Sequence, residues 1–183
     1  MEPRIQPATA PFTKDVADLF ETRLTGYPPL QLFTTLARDP RLFKKFLAGG
    51  LLDKGNLTIC QRELVIARTT ALCRSEYEWG VHITTFAHQA GFSAEQIYAT
   101  VWGTAEDTCW SAEDRLLLRL SDALHRDCAI DDALWPDLSV SFTENAILEL
   151  LMVAGFYRTI SYLTNGLRMP LDTPGARFPT SSE

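Results

Sequence analysis

Apolar residues recur along this chain at three- and four-residue intervals, the spacing that puts them on one face of a helix. Val16, Leu19 and Phe20, with Arg23, share a face and predict a first helix over 13–24, stopped by Gly26-Tyr27-Pro28-Pro29. A second short helix is expected over 30–37. Asp39 followed by Pro40 supplies an N-cap and a proline in the first turn, which starts a third over 41–48. Gly49-Gly50 closes it, since glycine tolerates the left-handed conformation of a helix end.

One start signal then repeats: Ser or Thr, two residues, and Glu, Gln or Asp. It occurs at Thr58/Gln61, Ser75/Glu78, Ser93/Gln96, Ser111/Asp114 and Ser141/Glu144, each ahead of an apolar periodic run. Helices follow over 59–73, 76–90, 94–102, 112–127 and 143–164, with Gly91 and Gly166 as stops. Residues 131–137, containing Trp135-Pro136, read as one irregular helical turn. The tail from Arg168 is proline-rich and is expected to wrap a neighbouring subunit or stay free. No alternating strand pattern competes, so the expected class is all-α. The last helix is apolar on two faces: Ile147, Leu150, Leu151 and Ala154 on one, Met152, Val153, Phe156 and Ile160 on the other. Such a helix belongs at the centre of a core or between subunits, which predicts a homo-oligomer.

Composition narrows the class. With 183 residues, 46% of them apolar, the chain can bury one ordinary core. A net charge of −6 and no concentrated basic patch argue against nucleic acid or an anionic membrane as partner. The strongly apolar stretch Leu150–Tyr157 is far shorter than a bilayer span, and the N-terminus lacks a basic start followed by an apolar run. Cys60, Cys73, Cys109 and Cys128 form no close pair, so reduced thiols in a cytoplasmic protein are expected.

The candidate chemistry lies in 62–91. Glu78 and His82 stand four apart, so their side chains can meet; a carboxylate beside an imidazole favours the charged ring and suits proton transfer. Trp79, Ile83 and Phe86 would wall that face. Glu78 is equally accounted for as the capping partner of Ser75. Glu63 sits among Ile59, Ile66, Ala67 and Thr70, where burial would perturb it, or else it pairs with Arg62, Arg68 or Arg74. His88 lies six residues after His82, off the spacing of a zinc-binding helix, and no metal or cofactor is expected.

The order Arg62-Glu63, an apolar run, Ser75-Glu76-Tyr77-Glu78-Trp79-Gly80-Val81-His82, then Ala90-Gly91-Phe92-Ser93, resembles the carboxymuconolactone decarboxylase / alkylhydroperoxidase D superfamily. The resemblance covers roughly residues 30–172, with 1–29 as an N-terminal arm and first helix and 173–183 as an extended tail. It implies a helical bundle assembled as a dimer, trimer or hexamer. In the peroxidase branch a glutamate, a Cys-x-x-Cys pair and a histidine form the functional set; here Glu63 and His82 fall on the glutamate and histidine, while Ser75 and Glu78 stand where both thiols would be. Cys73, two residues ahead, is the candidate replacement. Arg74 and the next helix's N-terminus would lower its pKa, and it reads equally as a small apolar residue.

The decarboxylase branch lacks the cysteines and keeps Glu-x-x-x-His, here Glu78 and His82. That implies a cofactor-free enzyme acting on a small organic acid or lactone, with His82 delivering a proton, Glu78 orienting it and Glu63 in support. Tyr77, Trp79, Arg68 and Arg74 are the substrate-binding candidates. A thiol-dependent peroxidase through Cys73 and a non-catalytic oligomeric ligand binder are the alternatives.

Overall fold

The computed structural model describes residues 2–23 and 29–181, and among them it contains nine helices and no strand. These are α1 (Lys14–Arg23), α2 (Gln31–Leu36), α3 (Pro40–Ala48), α4 (Ile59–Leu72), α5 (Glu76–Ala90), α6 (Ala94–Trp102), α7 (Ala112–Asp127), α8 (Trp135–Ser141) and α9 (Glu144–Gly166). The expected stop at Gly26-Tyr27-Pro28 lies outside the described residues.

The helix α4 is the axis of the bundle, with α5, α6, α7 and α9 packed around it. Every residue from Arg62 to Ala71 is buried. Leu64, Val65, Ile66 and Ala67 are fully inaccessible, and burying an aliphatic side chain of this size contributes about 1.5–3 kcal/mol. A helix surrounded on all sides must also satisfy its polar side chains internally. Thr70 donates to the Ile66 carbonyl at 2.8 Å. Arg68 holds Asp122 of α7 through two bonds, at 2.6 and 3.1 Å, and donates to the carbonyls of Thr100 and Gly103.

Local signals set most helix starts. Thr58/Gln61, Ser93/Gln96 and Ser111/Asp114 are complete reciprocal capping boxes. Two of the expected capping boxes are not made, although α5 starts at Glu76 as expected. Ser75 makes no capping bond, because its hydroxyl is drawn to Thr164 of α9 at 2.8 Å. Ser141 instead ends α8, and Thr143 caps α9 by accepting from Ala146 N–H. The expected irregular turn at 131–137 becomes a true helix over Trp135–Ser141. Asp131 accepts from the N–H groups of Ala133 and Leu134, Pro136 sits in the first turn where it costs no bond, and Leu138 is buried. Gly91 has φ of 77° and is a left-handed cap as expected, whereas Gly49 has φ of −94°. Space explains Gly49: a Cβ there would press on the Phe156 ring.

The first three helices form a satellite cluster in which Val16, Ala37 and Phe43 are buried against Phe12, Leu19, Phe20 and Phe33. The tail does not stay free. It lies along its own α5: Ala176 N–H donates to Thr84, Phe178 N–H to Glu76, Trp102 Nε1 to the Pro179 carbonyl, and Phe178 meets the Trp79 ring edge-on. Gly80 permits this approach, since a Cβ would overlap the Ala176 carbonyl.

At 23 residues, α9 is long and apolar enough to cross a membrane by length and composition, contrary to the estimate from Leu150–Tyr157 alone. Its Leu150, Val153, Tyr157 and Ile160 are buried in the bundle, as in the core helix of a globular fold. Leu148 and Met152 remain 61% and 62% exposed on the outer side.

Arg68 gives a direct test of the axis. Asp122→Ala strands the buried guanidinium and should cost about 2–3 kcal/mol, below the fully buried range because Asp122 is 31% exposed. Denaturant unfolding measures it, and a loss under 0.5 kcal/mol, roughly the size of a surface substitution, contradicts the assignment.

Candidate active site between the central helices

The turn at 73–75 folds α5 back along α4 and sets Glu63 opposite His82, nineteen residues later. Glu63 Oε2 lies 2.7 Å from His82 Nδ1. On the other edge of the ring, Glu78 Oε1 is 3.4 Å from Nε2. Arg62 closes the group from outside: its Nε and Nη2 both reach Glu63 Oε1 at 2.9 Å, and Nη1 donates to the Leu52 carbonyl. All four residues are buried, His82 and Glu78 at 5% exposure and Glu63 at 2%.

Aromatic rings enclose the imidazole. Tyr157 of α9 meets it edge-on at 4.8 Å between centroids and Phe86 lies tilted at 5.3 Å, with the Arg62 guanidinium over Phe86. Burial by itself lowers the pKa of His82, because it disfavours the cation. Hydrogen bonds and charge from Glu63 and then Glu78 outweigh it and raise the value to about 9. An imidazolium donates from both nitrogens, which is what a carboxylate at each nitrogen accommodates. The ring is therefore a held proton at neutral pH. The Tyr157 phenol is pushed well above its ordinary value by burial and by the two carboxylates, so it stays protonated.

The partnership differs from the expected one. Glu63 is the short contact and Glu78 the longer one, so the helical i, i+4 neighbour is the secondary partner. The alternative that Glu63 pairs with Arg62 also holds; the carboxylate serves both at once. Glu78 is released for this role because Ser75 does not use it as a cap.

Other candidates are placed elsewhere. Trp79 points to the opposite side of α5, bonded to Thr100 at 3.0 Å and packed with Ala67, Ala71 and Ile83. Of the expected wall, only Phe86 faces the ring. Arg68 is engaged by Asp122 and two carbonyls. Tyr77 accepts from Leu32 N–H and donates to Asp172; burial, then that bond, raises its pKa, so it reads as a tie between elements. Arg74 is exposed, lining a groove of about 520 Å³ with Arg168 and Arg177. Cys73 is not the low-pKa thiol expected. Burial raises it, and the opposing cation is Arg158, not Arg74. Tyr157 and Arg62 went unassigned as site residues; Arg62, adjacent to Glu63, was visible as an ion-pair partner, whereas nothing local marks Tyr157.

Comparison with known proteins agrees on the fold. A family described as the carboxymuconolactone decarboxylase family matches residues 40–122, which contain Glu63, Glu78 and His82. No curated protein matches the sequence. An uncharacterized peroxidase-related protein from Silicibacter sp. TM1040 superposes with a TM-score of 0.79 at 17% identity, covering 94% of this chain and 95% of its own. A second, from Ralstonia eutropha JMP134 and described as having an alkylhydroperoxidase AhpD core, gives 0.67 at 16%, with coverage of 94% and 95%. The debrominase Bmp8 gives 0.71 at 14%, covering 92% of each chain. At these identities the superpositions show the fold. The segment 40–122 thus resembles the carboxymuconolactone decarboxylase family, and the chain has an alkylhydroperoxidase D-like fold.

Proposed function

We propose that this chain is a cofactor-free acid–base enzyme acting on a small organic acid or lactone, with His82 as the proton donor. The observation that carries the reading is a buried imidazole braced by a carboxylate at each nitrogen. In a decarboxylation of this type the carbon–carboxylate bond breaks, its electron pair passes to an adjacent carbonyl as carbon dioxide leaves, and the resulting enolate takes the His82 proton at carbon as the carbonyl re-forms. Glu63 holds the ring cationic and oriented, and Glu78 accepts from the other nitrogen until that proton is called on. Phe86 and Tyr157 keep water away from the exchange. The four free thiols suit a reducing cytoplasm.

A thiol-dependent peroxidase through Cys73 ranks second. It requires a thiolate at neutral pH, and burial works against one. A non-catalytic ligand binder predicts that site variants change stability alone.

A screen of keto acids and lactones, followed by carbon dioxide release, tests the reading. His82→Ala should lower kcat by about 10²–10⁴-fold, the usual contribution of a positioned acid. Because the donor is active when protonated, activity should fall as pH rises through about 9, above the window of 5 to 8 that an ordinary histidine suggests. Glu63→Gln removes the largest upward influence and should move that limb down towards 6.5. An unmoved limb contradicts the assignment.

We further propose that the chain works as a homo-oligomer joined through the outer face of α9, where Leu148 and Met152 stand 61% and 62% exposed. Light scattering at micromolar concentration should give a multiple of 20.5 kDa, reduced by Met152→Glu. Monomer alone in the wild type contradicts it.

A further inference from the structure

A second group of reactive side chains lies away from His82, where the end of α4, the last turn of α7 and α9 meet. Cys73 follows α4, His125 comes from α7 and Arg158 from α9, around a cavity of about 390 Å³ whose wall also includes Ser161, Tyr162 and Asn165. Cys73 Sγ is 3.8 Å from His125 Nδ1, within reach of a sulfur hydrogen bond. Asn165 donates to the Cys73 carbonyl at 2.8 Å, which fixes the backbone carrying the thiol.

Arg158 marks the ligand. Its Nη1 donates to the carbonyls of Leu124 and His125 at 3.2 and 3.0 Å, and its Nε to the Tyr162 hydroxyl at 2.9 Å. None of these acceptors is a carboxylate, so a positive charge is held rigidly at a cavity wall by neutral groups. Asp122, the carboxylate whose field reaches His125, is already engaged by Arg68. A fixed guanidinium of this kind is suited to a carboxylate. Burial raises the Cys73 thiol; burial, and then Arg158, lowers the His125 imidazole. The resting pair is thus a thiol beside a neutral base, the arrangement of a nucleophile activated on demand.

We propose that this cavity is a second, thiol-based site that takes a small carboxylate bearing an electrophilic carbon, with Arg158 holding the carboxylate. The Cys73 Sγ–carbon bond forms as the bond to the leaving group breaks; the leaving group departs with the bonding pair, and the thiol proton passes to His125 Nδ1. The charge of Arg158 favours the developing thiolate.

Iodoacetate and its neutral counterpart iodoacetamide separate this from ordinary cysteine reactivity. Alkylation of Cys73 in the full chain is followed by peptide mass spectrometry, with N-acetylcysteine as the reference. The iodoacetate-to-iodoacetamide rate ratio at Cys73 should exceed the reference ratio by about tenfold, the low end of what charge steering supplies. Arg158→Gln should return the ratio to the reference, and His125→Asn should slow both reagents while preserving it. Arg158 also caps α7 carbonyls, so a wild-type measurement stands beside the variants: propionate should protect Cys73 from iodoacetamide and propionamide should not. A ratio equal to the reference, one that survives Arg158→Gln, or no protection by propionate overturns the proposal.

Discussion

The contact on which the structure turns is the 2.7 Å bond between Glu63 and His82, made where two central helices lie against each other. Both partners are buried, and a buried polar group is tolerable only when its hydrogen-bonding partners are supplied from within the fold. Arg62 on one side of Glu63 and Glu78 on the far side of His82 extend the pair to two cations and two carboxylates. Such a group is costly to bury and resists rearrangement. It also fixes the register of α5 on α4.

Around this group α4 divides its polar obligations by direction. Arg62 and Glu63 pair with each other and reach His82, Arg68 ties α7 and the end of α6, and Cys73 opens on a cavity beside α7 and α9. The apolar positions between them, Leu64 to Ala67, supply the burial that makes those polar contacts strong. The tail reinforces the far side of α5 at Gly80 and Trp79, so the helix carrying His82 is held from both faces.

Much of this was legible in the sequence where the governing interaction is local. Capping at Thr58, Ser93 and Ser111 depends on residues three apart, and those starts are found where expected. The same pattern misleads at Ser75 and Glu78, since both side chains find tertiary partners that the pattern does not contain. Glu78 and His82 were visible as a helical pair. The shorter bond to Glu63 crosses two helices, and family resemblance, not spacing, brought that residue into the set. Tyr157, and the meeting of Cys73 with His125 and Arg158, arise from how α7 and α9 pack on α4. Periodicity marks those helices as apolar without saying which residues they bring together.

The charge on His82 is the claim from which the proton-transfer account follows. It is measured most directly by an NMR titration of the imidazole nitrogens in the folded protein. A ring cationic at both nitrogens through neutrality, titrating near 9, is the predicted result. A ring already neutral at pH 7, titrating at or below the ordinary value of about 6.5, would contradict it.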